Sequence, residues 1–117
     1  MTLSLPKPPS VNHLYRVTCR GGYPKFYIAD EGSAWFEEAI FMIRRATQKR
    51  DYEGEIALYV KFYTARTSDL DNIFKATQDL LQKAGIIKND RQVEFLQGER
   101  IKVKPSQERL EIEIPQL

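Results

Sequence analysis

Hydrophobic and polar side chains alternate along the chain from Ile56 to Tyr63. Apolar residues take every second position there, and aromatic, small or charged residues fill the positions between them. Since successive side chains of a strand point to opposite faces, this period predicts a β-strand with two partly buried faces. Leu110, Ile112 and Ile114 repeat the period and predict the last strand of the chain.

Two segments place apolar residues at the spacing of an amphipathic helix. The first is expected to begin at Asp30, which suits an N-cap, and to run to about Gln48. The second is expected from about Asp71 to Lys83, with Gly85 in the position of a C-terminal cap glycine. The predicted core stripes are Trp35, Ala39, Met42, Ile43 and Ala46 on the first helix and Ile73, Thr77, Leu80, Leu81 and Ala84 on the second.

Shorter alternating segments predict the remaining strands. They are Met1 to Leu5, a hairpin formed by Tyr15 to Cys19 and Lys25 to Ile28, Val93 to Phe95, and Ile101 to Val103. The expected fold class is therefore α+β: residues 1–117 form a single small domain, with a mixed or antiparallel β-sheet and two α-helices packed on it.

Composition narrows the class of protein. The chain has 117 residues, of which 42% are hydrophobic and 29% charged, as in ordinary globular domains. Its single cysteine, Cys19, excludes an internal disulfide and a cysteine-based zinc site. No apolar run is long enough to span a bilayer, and the first residues lack the pattern of a signal peptide. We therefore expect a cytoplasmic protein with no membrane partner.

The most informative segment lies where the strand that begins at Ile56 gives way to the second helix. Asp69 and Asp71 are two residues apart there, so their carboxylates converge if the chain is still extended at Asp69. Converging carboxylates need a cation, and hard oxygen ligands suit Mg²⁺ or Mn²⁺. Lys75 lies one helical turn beyond Asp71 and points to the same side. The same residues are also typical of helix capping and an i,i+4 ion pair, and spacing alone does not decide between these interpretations.

Several short motifs carry a resemblance to a known family. In chain order they are Pro8-Pro9-Ser10-Val11-Asn12 followed by Tyr15-Arg16, Asp69-Leu70-Asp71-Asn72 followed by Lys75, Lys83-Ala84-Gly85, and Asn89-Asp90-Arg91-Gln92-Val93. This order and spacing resembles the RusA family of Holliday junction resolvases, the crossover junction endodeoxyribonucleases. The resemblance covers essentially the full length of the chain, and its most specific part runs from Asp69 to Asp90.

The resemblance implies a homodimeric enzyme that nicks four-way DNA junctions symmetrically, in DNA recombination and repair. It implies dependence on Mg²⁺, with Mn²⁺ as a possible substitute, and no small-molecule cofactor. By matching position, Asp69, Asp71 and Asp90 are expected to bind the metal, and Lys75 to be the essential lysine. An extended return from Ala84 would let Asp90 just reach the site of its own subunit. It can equally serve the partner's site, and both arrangements stay open, as does the number of metal ions.

Basic residues outside these motifs are the expected DNA contacts. The alternation of Arg100, Lys102 and Lys104 with apolar neighbours places them on the sheet face opposite the core, either as phosphate contacts or as a solvated face. The full set of expected DNA-binding residues is Lys7, Arg16, Arg66, Arg100, Lys102 and Lys104. Two other functions stay open: a non-catalytic DNA-binding protein on the same scaffold, and a nuclease for other branched DNA.

Overall fold

The computed structural model describes residues 1–10, 15–18, 25–28, 30–48, 51–66 and 70–115. Its strands are β1 (Thr2–Leu5), β2 (Tyr15–Thr18), β3 (Lys25–Ile28), β4 (Ile56–Thr64), β5 (Val93–Lys102) and β6 (Arg109–Glu113). Its helices are α1 (Asp30–Ala46) and α2 (Leu70–Lys83), and short 3₁₀ turns occupy Asp90–Gln92 and Pro105–Gln107. Within these ranges, no helix combines the length and the apolar character that crossing a bilayer requires.

Four of the strands form one mixed sheet in the order β1-β6-β4-β5. β6 pairs antiparallel with both β1 and β4, whereas β4 and β5 run parallel and are connected through α2. β2 and β3 form the separate antiparallel hairpin that the sequence predicted, and the turn between them lies outside the described residues. The α+β fold class is confirmed.

The core lies between the sheet and the two helices. On β4 the buried positions are Ile56, Leu58, Val60, Phe62 and Thr64, and the residues between them are half-buried or exposed. The predicted stripe of α2 is confirmed, since Ile73, Thr77, Leu80, Leu81 and Ala84 are all buried. The sheet thus has one face covered by helices and a second, more open face.

Helix α2 ends as its sequence predicts. Gly85 has a positive φ of 78°, a conformation that glycine adopts without steric cost. Its N–H donates to the Gln82 carbonyl, and the N–H of Ile86 donates to the Leu81 carbonyl. This pair of bonds is the Schellman arrangement, which satisfies carbonyls that the last helical turn leaves open.

Helix α1 differs from its prediction in bounds and in the buried face. Asp30 is its first helical residue, not an N-cap, and the helix ends at Ala46, short of Gln48. Met42 is 37% exposed, and Phe36, which the predicted stripe omitted, is buried. The buried face therefore lies closer to the start of the helix. Phe36 occupies it because its ring packs edge-on against Trp35, with centroids 5.0 Å apart.

Strand β5 is one continuous strand, where the sequence predicted two short ones. β5 pairs with β4 along its whole length, including the residues between the two predicted segments. Gly98 is needed for close packing: a Cβ added there would collide with the ring of Phe74 from α2. A glycine inside a strand thus marks close approach of a neighbouring element and not a turn.

Candidate functional site

The carboxyl ends of β4 and β5 lie side by side, because the two strands run parallel and Thr64 is in register with Lys102. α2 begins at Leu70, shortly after the end of β4, and its first turn is therefore at this end of the sheet. Asp71 is the second residue of α2, although its side chain and all of Asp69 lie outside the described residues. In open α/β units, ligands bind beyond the carboxyl ends of the strands, and Asp71 occupies that position.

Lys75 lies one helical turn after Asp71 on the same side of α2, and its side chain is exposed. Asn72, between them, is half-buried. Lys75 therefore lies on an accessible surface near the start of α2.

A basic pocket opens at the same end. It encloses about 240 Å³ and is lined by Thr64, Ala65, Arg66, Arg100 and Lys102. Three of these five side chains are cationic, and all three are exposed. Such a concentration of positive charge attracts phosphate. The basic pocket thus brings Arg66 together with two residues of β5 that are far from it in sequence.

The structure corrects the predicted face of Arg100 and Lys102. They are in register with Phe62 and Thr64, whose side chains are buried on the helix-covered face. Since partners in register share a face, both cations lie on the core side of the sheet and not opposite it. Both side chains are nevertheless exposed. Lys104 is outside β5, exposed, just before the second 3₁₀ turn.

Glu108 anchors the edge of the basic pocket, a role that sequence reasoning missed. Its Oε2 accepts hydrogen bonds from Lys7 Nζ at 2.7 Å, from the Ala65 N–H at 2.9 Å and from the Thr64 hydroxyl at 3.1 Å. These donors, Lys7 foremost, lower the pKa of Glu108 from 4.5 to about 2 against the opposing effect of burial. Lys7, an expected DNA contact, is thereby paired with a carboxylate of its own chain.

Asp90 lies at the opposite end of the β4-α2-β5 unit. It begins the 3₁₀ turn that leads into β5, and it is exposed. The Gln92 side-chain amide donates to the carbonyls of Tyr52 and Gly54, just before β4. These hydrogen bonds hold the 3₁₀ turn beside the amino-terminal end of β4. α2 has 14 residues and is therefore about 20 Å long.

The extended return of the chain from Ala84 to Asp90, considered above, does not occur. The segment instead stays at the end of α2, where Ile86 and Ile87 are buried in the core. Asp71 and Asp90 of one chain are consequently separated by the length of the helix.

The sequence model of the family described as "Endodeoxyribonuclease RusA" matches residues 6–115. The chain belongs to the RusA family. The expectation of a nuclease is thereby confirmed, and so is the resemblance from which it came.

Named relatives of the RusA family agree with this assignment. A protein of Enterobacteria phage HK97 named "Crossover junction endodeoxyribonuclease rusA" is 34% identical over 97% of this chain and 92% of its own length. Proteins with the same name are 33% identical in Shigella sonnei strain Ss046 and 32% identical in Escherichia coli strain K12. Each of these two alignments covers 79% of this chain and 75% of the relative.

The structure does not describe the three carboxylates that the RusA resemblance assigns to a metal as one set, because Asp69 and the Asp71 side chain lie outside the described residues. Among the described residues, no group of three or more His, Cys, Asp or Glu side chains is arranged to hold an ion. Asp71 and Asp90 are at opposite ends of α2. Carboxylate oxygens are suitable ligands for Mg²⁺. Within one chain, however, the backbone positions of Asp71 and Asp90 are separated by the length of α2.

Arg16, another of the expected DNA contacts, is described only in part. Arg16 lies in β2, in register with Tyr27 of β3, but its side chain is outside the described residues. Cys19 lies outside them altogether.

Proposed function

We propose that this protein is a Mg²⁺-dependent endonuclease that resolves four-way DNA junctions as a homodimer, by paired symmetrical nicks. The observation that supports the proposal is the arrangement of residues at the carboxyl end of the β4-α2-β5 unit. There the start of α2, with Asp71, adjoins the basic pocket of Arg66, Arg100 and Lys102. The names of the relatives add the substrate, since each is called a crossover junction endodeoxyribonuclease.

Carboxylates and cations have complementary roles at such a site. Asp69, Asp71 and an Asp90 would hold the metal ion, with Mn²⁺ as an alternative to Mg²⁺. When bound, the ion neutralises the phosphate and lowers the pKa of an attacking water. Lys75 would place its ammonium against the scissile phosphate and offset the negative charge that grows there.

The basic pocket would hold the DNA strand next to the cut. Arg66, Arg100 and Lys102 offer charge-assisted hydrogen bonds to backbone phosphates, which position a strand without reading its sequence. This fits a nuclease that recognises the shape of a junction. Two equivalent sites related by a twofold axis would cut two opposed strands of the junction.

A cleavage assay on synthetic DNA tests the proposal. Four-way, three-way and linear duplex substrates are incubated with Mg²⁺, Mn²⁺, Ca²⁺ or EDTA, and the products are resolved on denaturing gels. We expect paired nicks in the four-way substrate with Mg²⁺ or Mn²⁺ and none with EDTA.

Asp71→Asn should cut at least a hundredfold more slowly while still binding the junction, because a neutral amide binds a divalent ion far less well than a carboxylate. Asp79→Asn makes the same change further along α2 and should cut like the parent. Binding without any cleavage would point to a non-catalytic DNA-binding protein. Equal cleavage of three-way DNA would point to a nuclease for other branched substrates.

A further inference from the structure

Three chain segments that are distant in sequence converge at the carboxyl end of the sheet. β1 and β4 both pair antiparallel with β6, so they run in the same direction, with β6 between them. Lys7 follows the end of β1, and Glu108 immediately precedes β6. Ala65 and Arg66 follow the end of β4 and line the basic pocket. Side chains from all three segments can therefore meet beside this pocket.

One carboxylate oxygen joins the three segments. Glu108 Oε2 accepts hydrogen bonds from Lys7 Nζ at 2.7 Å and from the Ala65 N–H at 2.9 Å. It also accepts from the Thr64 hydroxyl at 3.1 Å, and the same hydroxyl oxygen accepts from the Arg66 N–H at 3.2 Å. The carboxylate thus holds two successive backbone N–H groups, the first directly and the second through a threonine that is itself buried.

These bonds begin where the pairing of β4 ends. Thr64 is the last residue of β4, and its carbonyl accepts from the Val103 N–H. Beyond it, side chains bind the backbone N–H groups of Ala65 and Arg66. The point from which the Arg66 side chain leaves the backbone is therefore fixed by Glu108 and Thr64, and not by strand pairing.

Charge gives the contact with Lys7 a second consequence. A lone carboxylate at this edge would cancel part of the positive potential with which Arg66, Arg100 and Lys102 attract phosphate. Lys7 neutralises Glu108 within the chain, and this hydrogen bond is the main reason that the pKa of Glu108 is lowered to about 2. The two side chains therefore form a neutral pair at the pH of a nuclease assay, and the cations of the basic pocket remain available to DNA.

We propose that Glu108 is a positioning residue of the nuclease, which fixes the backbone at Arg66 so that this guanidinium meets a DNA phosphate. Lys7 is the internal counter-ion of Glu108 and not a DNA contact. Glu108 carries the same sign of charge as phosphate and does not itself touch the DNA. The contact between Arg66 and DNA rests on the proposed function.

A double-mutant cycle on DNA affinity tests whether Glu108 acts through Arg66. Dissociation constants for a four-way junction, with Ca²⁺ in place of Mg²⁺, are measured for the parent, Glu108→Ala, Arg66→Gln and the double variant. Glu108→Ala should weaken binding by roughly three- to tenfold in the parent and by less than about twofold in Arg66→Gln. Glu108→Gln retains an acceptor oxygen and should recover part of the loss. Equal factors in the two backgrounds would overturn the proposal.

The direction of the effect separates positioning from charge. Removal of an acid raises the net positive charge and ordinarily favours DNA binding. Glu113→Ala is the matched control, since it removes an exposed acid at the other end of β6, and it should bind the junction at least as tightly as the parent. Tighter binding by Glu108→Ala would mean that this carboxylate only repels DNA, which is the opposite of the proposal.

The threonine hydroxyl offers a second, independent variant. Thr64→Val keeps the shape of a buried side chain and removes the acceptor of the Arg66 N–H. It should weaken binding when Arg66 is present and have little effect in Arg66→Gln. Thr64→Ser keeps the hydroxyl and should recover most of the loss. A loss that Thr64→Ser does not recover would contradict the action through Arg66.

Amide hydrogen exchange tests the positioning in the absence of DNA. In Glu108→Ala, exchange at Ala65 and Arg66 should accelerate by a larger factor than at Val60, which lies in the middle of β4 and reports the stability of the whole fold. The same factor at all three positions would mean a loss of global stability alone and would refute a positioning role. Circular dichroism establishes that the variants are folded.

The salt dependence of binding tests the assignment of Lys7. Arg66→Gln removes a phosphate contact and should lower the slope of log affinity against log salt by about one. Lys7→Gln should weaken binding but keep the slope of the parent, because it removes no phosphate contact. A slope lowered by about one in Lys7→Gln would make Lys7 a DNA contact, against the proposal.

Failure of this proposal is distinguishable from failure of the proposed function. A parent protein that binds junctions with the coupling between Glu108 and Arg66, but cuts no branched DNA, contradicts the proposed function and leaves the positioning role intact. A parent that cuts junctions, while Glu108→Ala binds them as the parent does, contradicts the positioning role and leaves the proposed function intact.

Discussion

The two ends of the β4-α2-β5 unit are held by different kinds of interaction. At the carboxyl end, the ionised side chain of Glu108 joins Lys7, Thr64 and Ala65 beside the basic pocket. At the amino end, neutral groups hold the chain in place. The Asn89 side chain accepts from the Arg91 N–H, and the Gln92 side chain bonds to backbone groups before β4 and before its own turn.

This difference matches what each end would bind under the proposed function. A pocket that attracts phosphate gathers cations, and an internal carboxylate offsets part of their mutual repulsion. Under the proposed function, the amino end would only have to present one exposed acid, Asp90, on a capped 3₁₀ turn. We therefore expect the carboxyl end to respond to pH and salt and the amino end to respond to neither.

The largest expected effect is on the stability of the fold, through strand β5, which both ends of the unit share. Gly98→Val should destabilise the fold by about 2 to 3 kcal/mol, because its side chain overlaps the Phe74 ring at the middle of β5. Urea unfolding measures the loss. Phe74→Leu in the same chain makes room and should recover part of it, so that the two changes are less than additive. Full additivity would mean that the collision with Phe74 is not the cause.

Glu108→Gln should weaken the carboxyl end in a pH-dependent way. The folded pKa of about 2 lies below the ordinary 4.5, so the stabilisation is complete above pH 4.5 and is lost as the pH falls toward 2. At pH 7 we expect a loss of about 1 to 2 kcal/mol, less than the full pKa change implies, because the side chain is partly exposed. Thermal unfolding of parent and variant should converge in acid.

A control for this prediction is Glu113→Gln, which alters an exposed carboxylate at the end of β6. Its effect on the unfolding temperature should be small at every pH. If the loss from Glu108→Gln were as large at pH 2.5 as at pH 7, ionisation of Glu108 would not be its source.

Arg100→Gln should weaken junction binding by several-fold and make it less sensitive to salt. Removing one phosphate contact lowers the slope of log affinity against log salt by about one. Binding titrations at several salt concentrations measure the slope. Arg44→Gln removes an exposed cation from α1 and should leave it unchanged. Equal slopes for the parent and Arg100→Gln would remove Arg100 from the DNA interface.

The smallest effect is expected at the amino end. Asn89→Ala removes the side-chain acceptor of the 3₁₀ turn and should cost about 0.5 to 1 kcal/mol. Since no ionised group takes part in this bond, the loss should be the same at pH 5 and pH 8. Asn89→Asp keeps an acceptor oxygen and should restore most of the stability. A marked dependence of the Asn89→Ala loss on pH would contradict the contrast between the two ends.

Local patterns in the sequence were sufficient for much of this protein. The alternation in β4, the apolar stripe of α2 and the glycine that ends it depend on neighbours a few residues away, so periodicity predicts them directly. The family motifs likewise identified a RusA nuclease, with Asp71 and Lys75 at the start of a helix. Sequence alone therefore determined the main elements and the candidate chemistry.

Tertiary structure decided what depends on distant partners. β5 is continuous because β4 pairs with it throughout and Gly98 admits Phe74. Glu108 became visible as an anchor only because the fold brings it to Lys7, 101 residues away. The sequence left open whether Asp90 serves the site of its own subunit or the partner's, and the buried segment after α2 keeps it at the far end of the helix from Asp71. Each of these outcomes follows from packing between elements that are far apart in sequence. The hydrophobic period of a short segment carries no information about such packing.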